Sequence, residues 1–134
     1  MPLDPKRKRA CRVARVLVVD DEASVRGVVR LALEKTGHEV VEAGDGEAAL
    51  KACRADPVDL VVADLFMPVM DGLELIVQLR GEFPGTKVVA ISGSVYERRP
   101  RFLEIAGRME SVVTLAKPFS PQQLIEAVDK ALSM

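Results

Sequence analysis

Leu60-Val61-Val62-Ala63-Asp64 is a short run, apolar on both faces, that ends abruptly in a carboxylate. A half-exposed strand would alternate apolar and polar residues, so this pattern belongs to a strand covered by helices on both sides of a parallel sheet. Val88-Val89-Ala90-Ile91, closed by Ser92, repeats the pattern. Upstream, Val16-Leu17-Val18-Val19 runs into Asp20-Asp21-Glu22. Val40-Val41 is a shorter candidate, and Val112-Val113-Thr114-Leu115 leads into Lys117-Pro118. These runs make five expected strands.

Segments of helical period lie between them. Val25, Val28, Val29 and Ala32 fall on one stripe ending at Gly37, a suitable residue just past a helix end. Ala48, Ala49 and Ala52, with Cys53, make a small-residue face that lets a second helix sit close to the sheet. Leu73, Ile76, Val77, Leu79 and Arg80 form a third, stopped near Gly81 and Pro84. A fourth is expected between Tyr96 and Met109, starting near Pro100, with Phe102, Leu103, Ile105 and Ala106 as its apolar positions. The last is the clearest: Leu124, Ile125, Val128, Ala131 and Leu132 are in phase, Ser120 stands at the cap and Pro121 in the first turn. Strict alternation of five strands with five helices predicts an open, doubly wound α/β sheet.

The 134 residues fit one hydrophobic core. The longest stretch without a charged side chain, Val88 to Tyr96, is far short of the ~20 residues a membrane helix needs. The start of the chain has no secretory apolar segment. Cys11 and Cys53 supply neither a disulfide framework nor a zinc ligand set, which predicts a cytoplasmic protein. Residues 1–14 are expected to be a solvated, disordered basic tail and 15–134 the domain; the tail has no aromatic platform, so no nucleic-acid partner is expected. His38, alone between Gly37 and Glu39, reads as a surface residue, and Met67 and Met70 as packing residues.

In such sheets ligands bind at the carboxyl ends of the strands. Those ends carry Asp20, Asp21, Asp64, Ser92 and Lys117. Converging carboxylates repel one another and call for a cation or raised pKa values. Oxygen ligands with room for water suit Mg²⁺. A lysine and a hydroxyl beside them supply donors for the outer oxygens of a phosphoryl group. Physical chemistry thus points to a metal-assisted aspartyl-phosphate site.

Four motifs in order, each at an expected strand end, resemble the response-regulator receiver family of two-component signalling. They are Val-Leu-Val-Val-Asp-Asp-Glu at 16–22, Asp-Leu-Phe-Met-Pro-Val-Met-Asp-Gly at 64–72, Ile-Ser-Gly at 91–93 and Lys-Pro-Phe at 117–119. The resemblance covers about Arg15 to Leu132. It implies a flavodoxin-like (βα)5 fold with a parallel five-stranded sheet in the order 2-1-3-4-5. Asp64 is the implied phosphoacceptor. Asp20 and Asp21 are the implied Mg²⁺ pair, joined by Asp64 and the backbone carbonyl of Phe66. Ser92 and Lys117 are the implied phosphoryl contacts, Lys117-Pro118 an implied cis peptide, and Asp71-Gly72 the turn before the third helix. The implied phosphoryl donor is a histidine kinase or a phosphotransfer protein. Output to a downstream protein is implied through the face of the fourth helix, fifth strand and fifth helix; a homodimer stays open.

Two positions depart from the family pattern. Thr114 stands where an aromatic ring usually acts in switching, so the segment Ser94–Arg101, with Tyr96, is expected to carry the change. Phosphorylation should then alter amide exchange across residues 94–105. Phe66 stands where a polar residue often orients the attacking water, so the acyl phosphate is expected to be long-lived and Phe66→Asn to shorten its lifetime. The favoured reading is a stand-alone phosphoacceptor, not an enzyme in the turnover sense. The alternatives are a receiver cut from a larger regulator or hybrid kinase, and a Mg²⁺-dependent phosphohydrolase with an aspartyl nucleophile. Against the hydrolase, Phe66 lacks a proton to give a leaving group.

Overall fold

A computed structural model of the chain describes residues 13–65, 72–92 and 112–134. Five parallel strands, β1 (Arg15–Val19), β2 (Glu39–Ala43), β3 (Leu60–Asp64), β4 (Lys87–Ser92) and β5 (Val112–Ala116), form one sheet in the order β2-β1-β3-β4-β5. The described helices are α1 (Ala23–Lys35), α2 (Gly46–Ala55), α3 (Gly72–Glu82) and the C-terminal α4 (Pro121–Leu132). The helix expected between Tyr96 and Met109 lies outside the described residues, as do residues 1–12 of the basic tail, Met67, Met70 and the Asp71 turn.

The double covering follows from strand alternation. On β1, Leu17 and Val19 enter one core with Val61, Ala63, Val88 and Ala90 of β3 and β4, under α2 and α3. Val16 and Val18 enter the other with Leu60, Val62, Val89 and Ile91, under α1 and α4. All five residues of β3 are buried, as a strand apolar on both faces requires. Ala49 and Cys53 let α2 lie close on its side; Leu124, Val128 and Ala131 anchor α4 on the other.

The C-terminal helix begins as expected. Ser120 Oγ accepts the Gln123 N–H, and the Gln123 side chain accepts the Ser120 N–H in return, a reciprocal capping box with Pro121 in the first turn. Helix α1 ends at Gly37, whose φ of +92° places it in the left-handed region. Gly37 N–H donates to the Glu34 carbonyl and His38 N–H to the Leu33 carbonyl, the paired bonds of a Schellman turn.

That turn overturns the surface reading of His38, which is only 4% exposed. The residue after the left-handed glycine folds back toward the helix it follows, where an apolar side chain usually packs. His38 takes that place, and its Nδ1 accepts the Ala14 N–H at 3.1 Å, just ahead of β1. The neutral ring therefore carries its proton on Nε2, which is buried with no hydrogen-bond partner among the described residues. Burial holds the His38 pKa below its ordinary value, against the opposing charge of Asp129.

Two stripe assignments are also corrected. Val28 on α1 is 66% exposed, and Leu31 is exposed beside it; the buried face runs through Val29 and Leu33, flanked by Val25 and Ala32. Val77 on α3 is exposed too, and Leu75, Ile76 and Leu79 do the packing. With apolar residues on several sides of a helix, periodicity alone does not choose which side faces the sheet.

Candidate phosphoacceptor site

Four of the five strand ends, those of β1, β3, β4 and β5, deliver polar groups to the same rim of the sheet. Asp64 is the last residue of β3 and is buried, and Ser92 is the last residue of β4 and is buried as well. Asp20 follows β1 directly and is buried; Asp21 beside it is exposed. Lys117 follows β5 and begins the cis peptide Lys117–Pro118.

Backbone bonds extend the sheet ladder to these positions. Asp20 N–H donates to the Ala43 carbonyl at 3.2 Å, Leu65 N–H to Ile91 at 2.8 Å and Lys117 N–H to Ser92 at 2.8 Å. The side chains thus stand on rigid ladder ends, a precise platform for chemistry.

Oxygens of Asp20, Asp21 and Asp64 lie within 4.8 Å of one another. Lys117 Nζ lies 3.2 Å from Asp64 Oδ2 and 4.0 Å from Asp20 Oδ2. The Asp20 carboxylate also accepts the Glu22 N–H at 2.9 Å. Burial, with the neighbouring charge of Asp64 and a smaller push from Asp21, raises the Asp20 pKa from 3.8 to about 6, although the Glu22 amide and Lys117 both favour its ionised form. For Lys117, burial pulls the pKa down, but the attraction of Asp64, Asp20 and Glu22 outweighs it and the net shift is upward.

Among the described residues, one ammonium therefore faces a cluster of three carboxylates, with negative charge in surplus. That donor set fits a hard divalent cation: all oxygen, clustered, and with Asp21 open to solvent, so that water can complete the shell. Phe66, whose carbonyl was expected to join the ligands, lies outside the described residues. Thr114 is partly exposed on β5, paired in register with Ala90 of β4.

The motif reading missed Arg26. Its guanidinium donates through Nη1 to the Asp20 backbone carbonyl at 2.6 Å and through Nε to Glu42 Oε1 of β2 at 3.1 Å. A signal existed in the chain: an arginine in the second turn of the helix that follows an acidic pair. Nothing in sequence spacing, however, tells such a residue from a solvated one.

Comparison with known proteins decides the family. The model of the response regulator receiver domain matches residues 16–129. The chain belongs to the response-regulator receiver family. Among curated relatives, the alkaline phosphatase synthesis transcriptional regulatory protein PhoP of Bacillus subtilis (strain 168) is 33% identical over 111 residues, which are 82% of this chain and 45% of that protein. The autoinducer 1 sensor kinase/phosphatase LuxN of Vibrio harveyi is 35% identical over 102 residues, 75% of this chain but 12% of that protein. Among solved structures, the receiver domain of NtrX from Brucella abortus superposes with a TM-score of 0.81 at 32% identity, over 89% of this chain and 98% of that one. The chemotaxis protein CheY4 of Vibrio cholerae superposes with a TM-score of 0.79 at 29% identity, over 90% and 99% of the two chains. The receiver chain spans about half the length of the transcriptional regulators it matches. Among the described residues, no helix is long and apolar enough to cross a membrane.

Proposed function

We propose that this receiver domain accepts a phosphoryl group on Asp64, in a Mg²⁺-dependent reaction with a histidine kinase or phosphotransfer protein as donor. The observation that carries the reading is the pairing of Asp64 with Lys117 at 3.2 Å beside the oxygens of Asp20 and Asp21. Asp20, Asp21 and Asp64 would hold the ion. When bound, Mg²⁺ offsets negative charge at the rim and on the transferring group.

The chain's own residues do the rest. Asp64 sits at the end of a buried strand, its carboxylate beside Lys117 and the Asp20–Asp21 pair. One of its oxygens attacks phosphorus, the O–P bond to Asp64 forms as the donor's bond to phosphorus breaks, and the donor group leaves with that electron pair. The product is a mixed anhydride on Asp64. Lys117, already drawn to Asp64, is placed to neutralise a phosphoryl oxygen, and Ser92 at the end of the neighbouring strand offers a hydroxyl for another.

The domain then signals by contact with another protein in the cytoplasm, phosphorylation shifting an equilibrium between two conformations. It works as a phosphorylated switch and not as an enzyme that releases product on each turn. Intact-mass measurement after incubation with acetyl phosphate tests the acceptor. Wild type with Mg²⁺ should gain one phosphoryl group, whereas wild type in EDTA and Asp64→Asn with Mg²⁺ should gain none. An equal adduct on Asp64→Asn would overturn the assignment.

A further inference from the structure

Asp20 is held by both of its backbone groups. Its N–H goes to the Ala43 carbonyl of β2, and its carbonyl receives Arg26 Nη1 at 2.6 Å. That carbonyl belongs to the Asp20–Asp21 peptide unit, which is planar. Holding its oxygen restrains the tilt of that plane, and with it the directions in which the Asp20 and Asp21 side chains leave the backbone. Arg26 is itself anchored. Glu42 accepts Arg26 Nε at 3.1 Å and Arg30 Nη1 at 2.8 Å, and Arg30 also pairs with Glu34 at 3.0 Å. Arg30 first, then Arg26, hold the Glu42 pKa below its ordinary value, so the anchor stays ionised. The Arg26 guanidinium is mostly covered, with its side chain 19% exposed.

We infer that Arg26 is a positioning residue for the metal site: by bridging Glu42 of β2 to the Asp20 carbonyl, it orients the Asp20–Asp21 peptide so that both carboxylates converge on one cation. The inference rests on the Mg²⁺ reading proposed above. Arg26 touches neither the ion nor the phosphoryl group. Its effect is on how well the acidic pair is arranged before the ion arrives, the role of groups that orient metal ligands from behind.

Isothermal titration calorimetry with Mg²⁺ at pH 7.5, on the full chain, tests this. Wild type should bind and Asp21→Asn should lose binding; if wild type does not bind, the Mg²⁺ reading fails and the inference with it. Given binding by wild type, Arg26→Met, which keeps the length and removes the donors, should weaken Mg²⁺ affinity by about tenfold or more. Arg26→Lys should recover part of the loss, since one donor can still reach the carbonyl. In phosphorylation by acetyl phosphate, the half-saturating Mg²⁺ concentration should rise more than the saturated rate falls. Arg54→Met removes an ion pair between α2 and α3, to Glu82, remote from the rim; it controls for general loosening and should leave Mg²⁺ affinity as in wild type. A Mg²⁺ affinity for folded Arg26→Met within about twofold of wild type would overturn the inference. If Arg26→Met fails to fold, Glu42→Gln decides in its place: a several-fold weaker affinity supports the role, and an unchanged one overturns it.

Discussion

The Asp20 carboxylate carries an electrostatic cost at the rim, and that cost has a sign. Its pKa is about 6 in the folded protein and 3.8 in the ordinary state. The folded chain therefore keeps this proton up to about pH 6, whereas the unfolded chain releases it near pH 3.8. Metal-free stability from this group is greatest at low pH, declines as pH rises through that window, and is lowest above pH 6. At 1.36 kcal/mol per pKa unit, the penalty at pH 7 is at most about 3 kcal/mol. Asp20→Asn, which keeps an acceptor for the Glu22 amide, should raise metal-free stability at pH 7.5 by about 1–3 kcal/mol while weakening Mg²⁺ binding, as urea melts in EDTA and calorimetry would show. Mg²⁺ affinity of wild type should rise with pH across about 6, because the ion requires the ionised form.

His38 acts in the opposite sense. Its folded pKa lies below the ordinary 6.5, so its contribution is fully present above pH 6.5 and is lost as pH falls below it. His38→Gln can still accept the Ala14 N–H without titrating. Its stability curve between pH 7 and 5 should lack the acid-side loss of wild type, most clearly in an Asp20→Asn background where the opposing slope is gone. Parallel curves for the two proteins would refute the role of His38. These residues also mark how far the site could be read in advance. Asp20, Asp64, Ser92 and Lys117 were legible because each is a polar residue bordering an apolar strand, a local signal. Arg26 and His38 were not, because their roles depend on partners 16 and 24 residues away, Glu42 and Ala14, that only the folded chain brings near.

At the scale of the element, α1 carries apolar residues on two sides and packs only one. Leu33 is fully buried, while Leu31 is 56% exposed. Leu33→Ala should cost about 2–5 kcal/mol in urea unfolding, by loss of burial and the cavity left behind. Leu31→Ala should change stability by less than about 0.5 kcal/mol, as substitutions away from packed features do. Equal losses would mean the helix is rotated from the orientation described. The strands were far more legible than the helix faces. A strand buried on both sides shows itself as a continuous apolar run, as β3 does, whereas choosing Val29 over Val28 needs the position of the sheet. Helix ends were readable where chemistry is local: Gly37 and Ser120 both stop or start their helices as expected.

Across the whole molecule, a ligand that binds only the folded state stabilises it by mass action. Mg²⁺ at one hundred times its dissociation constant should add about 2.7 kcal/mol to unfolding free energy. The thermal midpoint of wild type should therefore climb with Mg²⁺ concentration, and that of Asp21→Asn should stay flat in differential scanning fluorimetry. A climb in both would place the ion away from the rim. The doubly wound topology was legible as a whole, because alternation of strand and helix with buried parallel strands leaves few other arrangements.

Strand β1 has one more consequence. From Val16 to Val19 its side chains are valine and leucine toward both layers, so a slide of one residue would exchange one greasy face for another, and polarity alone does not fix the register there. Little in the interior objects to such a slip. The objection comes from its ends: Arg15 N–H to Asp59 Oδ2 below, and Asp20 N–H to Ala43 above with the guanidinium of Arg26 closing over it. The contacts at its two ends thus serve as punctuation for a strand whose letters are interchangeable, and a change that erased one, such as loss of the Asp59 carboxylate, would be expected to blur the frame of the sentence.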